Sequence, residues 1–537
     1  MRIIPLITFF LLLSYTIFGQ VNMELQANVT YDDKLSDIWG YTDSLGREYA
    51  LVCLRGGIAI ENISNPTEPE RVAIIEGPNS SWRDAKTYGQ FAYFINESSG
   101  GLQIINLKNL PNAPDSTDSY FWTPIIPELG LLSTCHNIYI DEATGYGFLA
   151  GCNINNGGVV ILDLFTDPGN PIYVSAAAPV YAHDVYTRGD FIYSSDIFEG
   201  AFAIQDMSNK DSVFTVSSQT TPFIFTHNAW LSDDSNVIFT SDERENASIG
   251  AYDISDKNNI KFLDEFRPIA SIGEGLIPHN VHVKNDFLIT SYYTEGVIIM
   301  DGHKPDNLIE VGNYDTFSGE NGEFSGIWGA FPFFESGTVI GSDINNGLFI
   351  LKPTYIRACY LEGVVLDSIS GLPLDGVAIT ILSADANKDL SNLNGSYKTG
   401  QVSAGVFDVS FAKAGYQTKT ALARLENGEL TVLNMALAAV DSSMTTSIPL
   451  LSNVETLTIY PNPFINQMTL QYELTHLEAN TQLVITDLLG QQISTQAINE
   501  KSGFIKLGID WTPGVYFARL AANGLYSAPI KMIKTSH

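Results

Sequence analysis

A short glycine-led apolar strand recurs six times in the first 355 residues, and this repeat constrains the fold more than any other feature. Each copy runs from a glycine through an apolar stretch, usually to an acid or amide; the glycines are Gly57, Gly101, Gly158, Gly200, Gly296 and Gly347. Successive glycines are 44, 57, 42, 96 and 51 residues apart, and a degenerate copy at Ile249–Ile254 divides the longest interval. Units of roughly 40 to 50 residues rich in β-branched and aromatic residues are typical of propeller blades.

A polar pair that precedes each glycine by about 20 residues gives the same count of seven. The pairs are Ser36-Asp37, Arg83-Asp84, His136-Asn137, His183-Asp184, His227-Asn228, His279-Asn280 and Ser325-Gly326. Apolar residues alternate after each pair, and a turn such as Arg188–Asp190 separates two strands. We therefore predict an all-β chain: residues 20–356 form a seven-bladed β-propeller, and two small β-sandwich domains follow.

These glycine-led strands and histidine-led pairs resemble LVIVD-repeat propellers. The resemblance is closer to the secreted choice-of-anchor proteins, which join such a propeller to varied C-terminal anchors. It covers roughly residues 22–355. The resemblance implies a fold for this region and implies no enzymatic activity.

The charge balance argues against a nucleic-acid partner. The 537 residues include 28 Lys and Arg against 60 Asp and Glu, a formal net charge of −32. Such a surface repels phosphate backbones. A chain of this length is also too long to fold around a single hydrophobic core, which predicts several domains.

The pattern of residues 1–19 predicts a signal peptide. Arg2 supplies a positive start, residues 3–18 an apolar stretch, and Gly19 a small residue before the expected cleavage point. The apolar run is shorter than the ~20 residues that a spanning helix needs, and no later run qualifies. We therefore expect an exported protein with no transmembrane segment in the mature chain.

The four cysteines of an exported chain allow three pairings. They are Cys53, Cys135, Cys152 and Cys359, and their spacing fits no zinc motif. Cys135 and Cys152 fall on neighbouring strands of one predicted blade. A disulfide between these two and a pair of buried free thiols both fit the sequence.

Residues 357–440 change in composition and alternate apolar strands with glycine turns. Their Gly-x-Val, Gly-x-Pro-Leu-x-Gly-Val and Ala-Gly-Tyr elements resemble the carboxypeptidase-regulatory-like (transthyretin-type) β-sandwich. That resemblance implies a spacer or carbohydrate-binding-like fold and no peptidase. A loop at 385–394 offers oxygen ligands but departs from the calcium-loop consensus, which favours an exposed hairpin.

A Ser/Thr-rich linker at 441–454 leads to a final domain at 455–537. Three elements of this domain, around Tyr460–Phe464, Leu483–Ile493 and Pro513–Leu520, resemble the C-terminal sorting domain of type IX secretion cargo. The resemblance implies transport across a Gram-negative outer membrane to the cell surface or the extracellular space. The same resemblance implies two partners, the type IX secretion machinery and the sorting peptidase that removes the domain.

The histidines of the polar pairs are the candidate site. Equivalent positions of a propeller surround one axis, so we expect four imidazoles and two carboxylates to converge there: His136, His183, His227, His279, Asp84 and Asp37. The four histidines are candidate ligands of a divalent metal in the channel. Candidate outer partners are Asp196, Asp242, Glu243 and Asp343. In the competing interpretation, each histidine ties its blade to the next and each Asn or Asp caps a turn.

Two classes of function follow from this pattern. The first is an exported binding protein whose propeller holds a glycan, peptide or protein ligand. The second is an exported enzyme that uses the histidine ring, such as a metal-assisted hydrolase or lyase acting on a polymer. No nucleophile elbow or phosphate loop marks the sequence, so we expect the binding protein.

The last unit also lacks a fourth strand of its own. Residues 23–30 form an apolar alternating segment ahead of the first unit. Because an unpaired outer edge favours aggregation, we predict that these residues pair antiparallel beside 347–351.

Overall fold

A computed structural model describes residues 20–115, 117–268, 273–384, 388–440, 451, 453–488 and 490–535. Within those ranges the chain is all-β, with one short 3-10 turn at Asn155–Gly157 and no α-helix. The chain divides into two compact units, the first ending at Ala439 and the second beginning at Val440. The predicted signal peptide and most of the predicted linker lie outside the described residues.

The strands up to residue 353 are short, as expected for apolar segments separated by turns. They are β1 (Met23–Val29), β2 (Leu35–Thr42), β3 (Glu48–Leu54), β4 (Gly57–Asn62), β5 (Glu70–Glu76), β6 (Arg83–Tyr88), β7 (Phe91–Asn96), β8 (Leu102–Asn106), β9 (Ser119–Trp122), β10 (Ile125–Ile126), β11 (Gly130–Leu131), β12 (Asn137–Asp141), β13 (Tyr146–Ala150), β14 (Val160–Asp163), β15 (Ile172–Ala176), β16 (Asp184–Arg188), β17 (Phe191–Asp196), β18 (Ala201–Asp206), β19 (Phe214–Thr220), β20 (Thr226–Leu231), β21 (Val237–Asp242), β22 (Ile249–Asp253), β23 (Lys261–Phe266), β24 (Val281–Lys284), β25 (Phe287–Ser291), β26 (Val297–Asp301), β27 (Ile309–Tyr314), β28 (Ile327–Phe331), β29 (Val339–Asp343) and β30 (Gly347–Pro353).

All of these strands except the β10–β11 pair form seven four-stranded sheets, none of them closed on itself. Sheets 1 to 6 are β2–β5, β6–β9, β12–β15, β16–β19, β20–β23 and β24–β27, each in chain order, and sheet 7 has the order β1-β30-β29-β28. The first strand of each of sheets 1 to 5 contacts the first strand of the next sheet. Strand β28 contacts β25 of sheet 6 and β2 of sheet 1. We call β2, β6, β12, β16, β20, β24 and β28 the inner strands.

Sheet 7 takes its outer strand from the N-terminal segment, which confirms the predicted pairing. Strand β1 is antiparallel to β30, with Met23 opposite Pro353 and Val29 opposite Leu348. Met23 is buried and packs in one cluster with Phe349. The strand therefore pairs backbone groups of β30 that an exposed edge would leave open.

A disulfide joins Cys135, just before β12, to Cys152, just after β13. It links the ends of two neighbouring strands of sheet 3. The sequence allowed either a disulfide or two thiols at these positions, and the structure contains the disulfide. Cys53 is a buried free thiol, and Cys359 is also buried.

The rest of the first unit contains two further sheets that enclose a core of their own. Its strands are β31 (Cys359–Asp367), β32 (Ala378–Ile381), β33 (Lys388–Leu390), β34 (Ser396–Gln401), β35 (Gly405–Ala412), β36 (Lys419–Leu425), β37 (Leu430–Val432) and β38 (Met435–Leu437). Strands β34-β31-β37 with β38 form one sheet, and β33-β32-β35-β36 form the other. Leu361 of the first sheet and Phe411 of the second pack in the same cluster. The segment considered for calcium begins at 385–387, outside the described residues.

A buried ion pair fixes this region to sheet 6. Arg357 Nη1 lies 2.6 Å from Oδ1 of Asp301, whose side chain is fully buried. The backbone N–H of Ala358 donates to the other oxygen of Asp301 at 2.8 Å. Both carboxylate oxygens of Asp301 are thus satisfied by the segment that enters β31.

The second unit has eight strands among its described residues. They are β39 (Val454–Tyr460), β40 (Met468–Leu474), β41 (Gln482–Asp487), β42 (Gln492–Ala497), β43 (Ser502–Leu507), β44 (Gly514–Ala522), β45 (Leu525–Tyr526) and β46 (Ile530–Lys534). A three-stranded sheet, β39-β40-β43, and a five-stranded sheet built on β41 and β44 share one core. Leu470 and Leu483, from the two sheets, are both buried in it.

Candidate functional site

A backbone bulge at the start of the inner strand explains why a histidine and a second polar residue occur side by side. In sheet 3, the N–H of His136 donates to the Ala150 carbonyl at 3.1 Å, although Ala150 is already the strand partner of Asn137. In sheet 5, His227 is the extra residue between Thr226 and Asn228, which pair with two consecutive residues of β21. Two residues facing one is the geometry of a bulge, which re-aims the side chain of the extra residue.

The four predicted histidines form one continuous file. The ring centroids of His136 and His183 are 3.9 Å apart, those of His183 and His227 4.2 Å, and those of His227 and His279 4.3 Å. The indole of Trp328, in sheet 7, continues the file at 5.1 Å from His279. All five rings line one pocket, which we call the histidine pocket. The four predicted histidines therefore line one shared cavity.

Trp328-Gly329 is the pair of sheet 7 that matches the histidine-led pairs, so the assignment of Ser325-Gly326 was wrong. Gly329 pairs with Ser342 of β29 as Asn228 pairs with Ser241 of β21. A Cβ atom at Gly329 would lie only 2.3 Å from Oδ1 of Asp37. The glycine is therefore needed where sheet 7 approaches sheet 1, and a polar pair could not occur there.

The second residue of a pair connects neighbouring sheets at four positions, Asp84, Asn137, Asp184 and Asn228. Oδ2 of Asp84 accepts hydrogen bonds from Nδ2 of Asn137 and from the Ile138 N–H, both at 2.9 Å, in the next sheet. Oδ2 of Asp184 accepts from Nδ2 of Asn228 at 2.7 Å. The Asp or Asn was expected to cap a turn in the competing interpretation, but here it ties one sheet to the next.

The same contact continues from sheet 5 to sheet 6, where Oδ1 of Asn228 accepts the N–H of Val281 at 3.0 Å. Between sheets 6 and 7 a histidine takes this role, because Nδ1 of His279 lies 2.6 Å from the Trp328 carbonyl oxygen. Between sheets 7 and 1, the hydroxyl of Ser342 donates to the Ser36 carbonyl at 2.6 Å. The inner strands are thus joined by buried hydrogen bonds that include side chains.

Asp84 and Asp37, predicted to complete the histidine ring, line the same pocket but occupy the register of the connecting residues. They share Lys86, whose Nζ lies 2.7 Å from Asp84 and 3.8 Å from Asp37. Burial opposes the charge of Asp84, but Lys86 holds its pKa below the usual value. Burial, and then the charge of Asp84, raise the pKa of Asp37. Sequence reasoning missed Lys86, although its position two residues after Asp84 places it on the same face of the strand.

A large side chain follows the second residue of each pair by two positions: Trp39, Lys86, Tyr139, Tyr186, Trp230, His282 and Phe331. Four of these seven, Lys86, Tyr139, Trp230 and His282, line the pocket. The rings of Tyr139, Tyr186 and Trp230 lie 4.3 to 5.7 Å apart, and Trp230 stacks on Phe333 at 5.6 Å. The repeated two-residue offset was a signal available in the sequence.

The histidine pocket encloses about 580 Å³, including the space at its open mouth. Its lining carries two basic side chains and three acidic ones, and burial raises the pKa of one of the acids, Asp37, which favours its neutral form. Arg83 and Lys86 are cations and Asp84 is an anion, while burial raises the pKa of Asp184 only to about 6, so that it is mostly ionised at pH 7. Trp82, 46% exposed, is part of the lining.

Three of the four histidines are neutral at neutral pH. Burial lowers the pKa of His227 and of His279 to about 3, and it lowers that of His183 well below its usual value. His136 is bound instead to Glu97, with its Nδ1 2.6 Å from Oε1. Nδ1 of His183 and Nδ1 of His227 are buried with no hydrogen-bond partner in the described part of the chain. Buried polar atoms are usually satisfied, so these nitrogens mark the pocket as a place for a ligand or water.

One of the four predicted outer acids reaches the histidines. Glu243 lies 3.7 Å from Nε2 of His227 and 3.8 Å from Nε2 of His279. These three residues place their ligand atoms within 4.8 Å of one another, a group that His136 and His183 do not join among the described residues.

The other three predicted outer acids, Asp196, Asp242 and Asp343, do not line the pocket. Asp242 accepts the Thr221 hydroxyl at 2.6 Å, and Asp343 accepts the Thr316 hydroxyl at 2.8 Å. Oδ1 of Asp196 is buried with no hydrogen-bond partner in the described residues.

Residues 458–535 match the family model described as the secretion system C-terminal sorting domain. A search of curated protein sequences finds no match to the chain. The sorting domain directs the protein through type IX secretion across the outer membrane, so it is a cell-surface or extracellular protein. No helix among the described residues is both long and apolar enough to span a membrane.

Proposed function

We propose that the exported chain is a binding protein, with residues 20–356 as a seven-bladed propeller of the LVIVD type and the histidine pocket as its ligand site. In this proposal residues 357–440 are a carboxypeptidase-regulatory-like sandwich that carries the propeller. The sorting domain delivers both regions to the outside of the cell.

The neighbour relations of the sheets support the propeller. Seven four-stranded sheets follow one another along the chain, the first strands of sheets 1 to 6 are neighbours in sequence order, and β28 contacts β25 and β2. The outer strand of sheet 7 comes from the N-terminus, which is how a propeller joins its first and last blades.

The observation that carries the binding function is the division of roles within the polar pairs. The Asn and Asp residues make the hydrogen bonds between sheets, and the adjacent histidines are not needed for this in sheets 3 to 5. His183 and His227 nevertheless line the cavity, and the Nδ1 atom of each is buried with no hydrogen-bond partner among the described residues. Polar groups that converge on a pocket without a structural role are the usual feature of a ligand site.

The pocket favours an uncharged polar ligand such as the end of a glycan. The lining sets two cations against Asp84 and Asp184, and the raised pKa of the third acid, Asp37, favours its neutral form, so a charged ligand would meet little net complementary charge. Histidine and amide groups offer hydrogen bonds to hydroxyl groups. The exposed indole of Trp82 at the same pocket offers an apolar face to a sugar ring.

A screen of the exported protein against immobilised glycans tests this function, followed by calorimetry with the best saccharide. We expect Trp82→Ala and His183→Gln each to weaken binding by about 10-fold or more, the size of about 1.4 kcal/mol. Phe165→Ala is the matched control, since Phe165 is 73% exposed and lies outside the pocket lining. Equal affinity of the pocket variants and the wild type would place the ligand elsewhere.

The export route has its own test. Deleting residues 455–537 should leave the protein in the periplasm, because the sorting domain is the address that the type IX machinery recognises. Cell fractionation with antibody detection measures this. Truncated protein reaching the surface in normal amounts would contradict the assignment.

The enzyme alternative has less support. No Ser, Thr or Cys is among the described residues that line the histidine pocket, so they offer no aliphatic hydroxyl or thiol nucleophile. A hydrolase or lyase at this site would therefore have to use a carboxylate such as Asp84, or a histidine, as its acid, base or nucleophile. Turnover of the saccharide found in the screen, detected as new reducing ends, would favour the enzyme over the binding protein.

A further inference from the structure

The proton positions on His279 leave a lone pair that faces a carboxylate. Nδ1 of His279 lies 2.6 Å from the Trp328 carbonyl oxygen, which can only accept, so Nδ1 carries the proton. In the neutral ring Nε2 is then an acceptor. That atom faces Oε1 of Glu243 at 3.8 Å, so two acceptors point toward one another.

His227 repeats this arrangement one sheet earlier. Its Nε2 faces the other oxygen of Glu243 at 3.7 Å. Its Nδ1 is directed toward the His279 carbonyl without reaching hydrogen-bond geometry. Both imidazoles therefore turn Nδ1 toward the backbone of the next sheet and Nε2 toward the same carboxylate.

Glu243 is held in place by a hydrogen bond from a tyrosine that lies beside His279. The hydroxyl of Tyr293 donates to Oε1 at 2.6 Å. The Glu243 side chain is 15% exposed, whereas those of His227 and His279 are almost fully buried. The three groups therefore form an ordered cluster with access from solvent on the glutamate side.

We propose that His227, His279 and Glu243 bind one divalent transition-metal ion of the zinc class. Imidazole nitrogens and a carboxylate oxygen suit such an ion. A zinc ion with bonds of about 2.0 to 2.1 Å keeps tetrahedral ligands about 3.4 Å apart. The two imidazoles lie 3.7 and 3.8 Å from different oxygens of Glu243, and the three ligand atoms lie within 4.8 Å of one another, so metal binding requires the cluster to contract. A backbone carbonyl behind an imidazole and a hydroxyl behind a carboxylate are the supports that metal ligands usually have.

Three protein ligands leave at least one coordination position open for water or for a ligand oxygen. This is the arrangement of zinc sites that bind exchangeable groups, as opposed to closed structural sites with four protein ligands. Because His227 and His279 also line the histidine pocket, a bound ion would place a Lewis acid at its edge. The inference goes beyond the proposed glycan binding.

The test is a titration of the chelator-treated exported protein with zinc alone, by calorimetry, repeated with cobalt(II) and visible absorption. We expect one tight equivalent and a cobalt spectrum of low coordination number. Glu243→Gln and His227→Gln should each weaken zinc binding by about 100-fold or more, since even supporting residues contribute about 10- to 100-fold. Tyr293→Phe, which keeps all three ligands, should weaken it by about 10-fold.

Exposed histidines elsewhere supply the control. His303 lies on the surface near Asp286, and His303→Gln should leave the tight equivalent unchanged. Glu243→Gln keeps the shape of the side chain and an oxygen for Tyr293, and its melting curve without metal checks that it folds. Absence of a tight equivalent in the wild type, or its retention in Glu243→Gln, would overturn the site. The zinc titration contains no saccharide, so a negative result would count against the metal site and not against the glycan-binding proposal.

Discussion

Replacing Asn228 by alanine removes the side chain that joins sheets 4, 5 and 6. Nδ2 of Asn228 donates to Asp184 at 2.7 Å, and Oδ1 accepts the N–H of Val281 at 3.0 Å, all in buried surroundings. Loss of a hydrogen bond to a charged group costs about 1.5 to 3 kcal/mol, and an orphaned buried N–H about 1 to 3 kcal/mol. We therefore expect Asn228→Ala to lower the free energy of unfolding by about 3 to 5 kcal/mol.

The size of this effect should depend on pH. Burial raises the pKa of Asp184 to about 6, and the hydrogen bond from Asn228 opposes that rise. The folded pKa lies above the unfolded value of about 3.9, so ionisation of Asp184 destabilises the fold as pH rises from about 4 to 6. Without Asn228 the folded pKa is higher still, and the loss continues above pH 6. The variant should therefore fall further below the wild type at pH 8 than at pH 5.

Differential scanning calorimetry of the exported protein at both pH values measures this. Domains of 150 to 250 residues lose about 2 to 4 °C per kcal/mol, and the lower figure suits this larger unit, giving a shift of about 6 to 10 °C at pH 8. The matched control is Asn258→Ala, because Asn258 is exposed and only its backbone N–H takes part in the turn. Melting of Asn228→Ala within a degree or two of this control at both pH values would refute the role of Asn228 as a connection between sheets.

Three further predictions concern stability. Removing residues 20–31 should lower the Tm by several degrees, because it opens the edge of β30 and uncovers part of its apolar cluster; a midpoint equal to that of the intact protein would contradict the pairing. Replacing Cys135 and Cys152 by serine should cost about 3 kcal/mol, the entropy of closing a short loop, and a reducing agent should shift the wild type but not this variant in calorimetry. Burial raises the pKa of Asp196 to about 7, above its unfolded value, so wild-type stability should fall as pH rises from about 4 to 7. Asp196→Asn should melt higher than the wild type at pH 8 and not at pH 5, and equal midpoints at pH 8 would show that Asp196 carries no such penalty.

The repeat predicted much of the fold because each glycine-led strand carries its own signal. Gly57 and Gly347 begin β4 and β30 as the spacing requires, and the orphan strand at 23–30 pairs where an open edge needed cover. The four histidines could be placed together for the same reason, since equivalent positions of a repeat occupy equivalent places. The sorting domain was recognisable from its own local motifs.

Other features depend on contacts between sheets, which no local pattern encodes. The bulge that separates the roles of His227 and Asn228 is a property of pairing with β21. Glu243 lies just beyond the second strand of sheet 5, and its approach to His279 of sheet 6 depends on how the two sheets meet. Trp328 takes the histidine position of sheet 7 and is followed by Gly329, which must fit against Asp37. A search for polar pairs could not find this position.

The most direct test of the binding function is a crystal structure of the exported protein with the saccharide that the glycan screen identifies. The account predicts seven sheets around one axis and saccharide density in the histidine pocket, with hydroxyl groups at hydrogen-bond distance from ring nitrogens of His183 or His227 and a sugar face against Trp82. Saccharide density on the outer edges of the sheets, with only water beside the histidines, would contradict it.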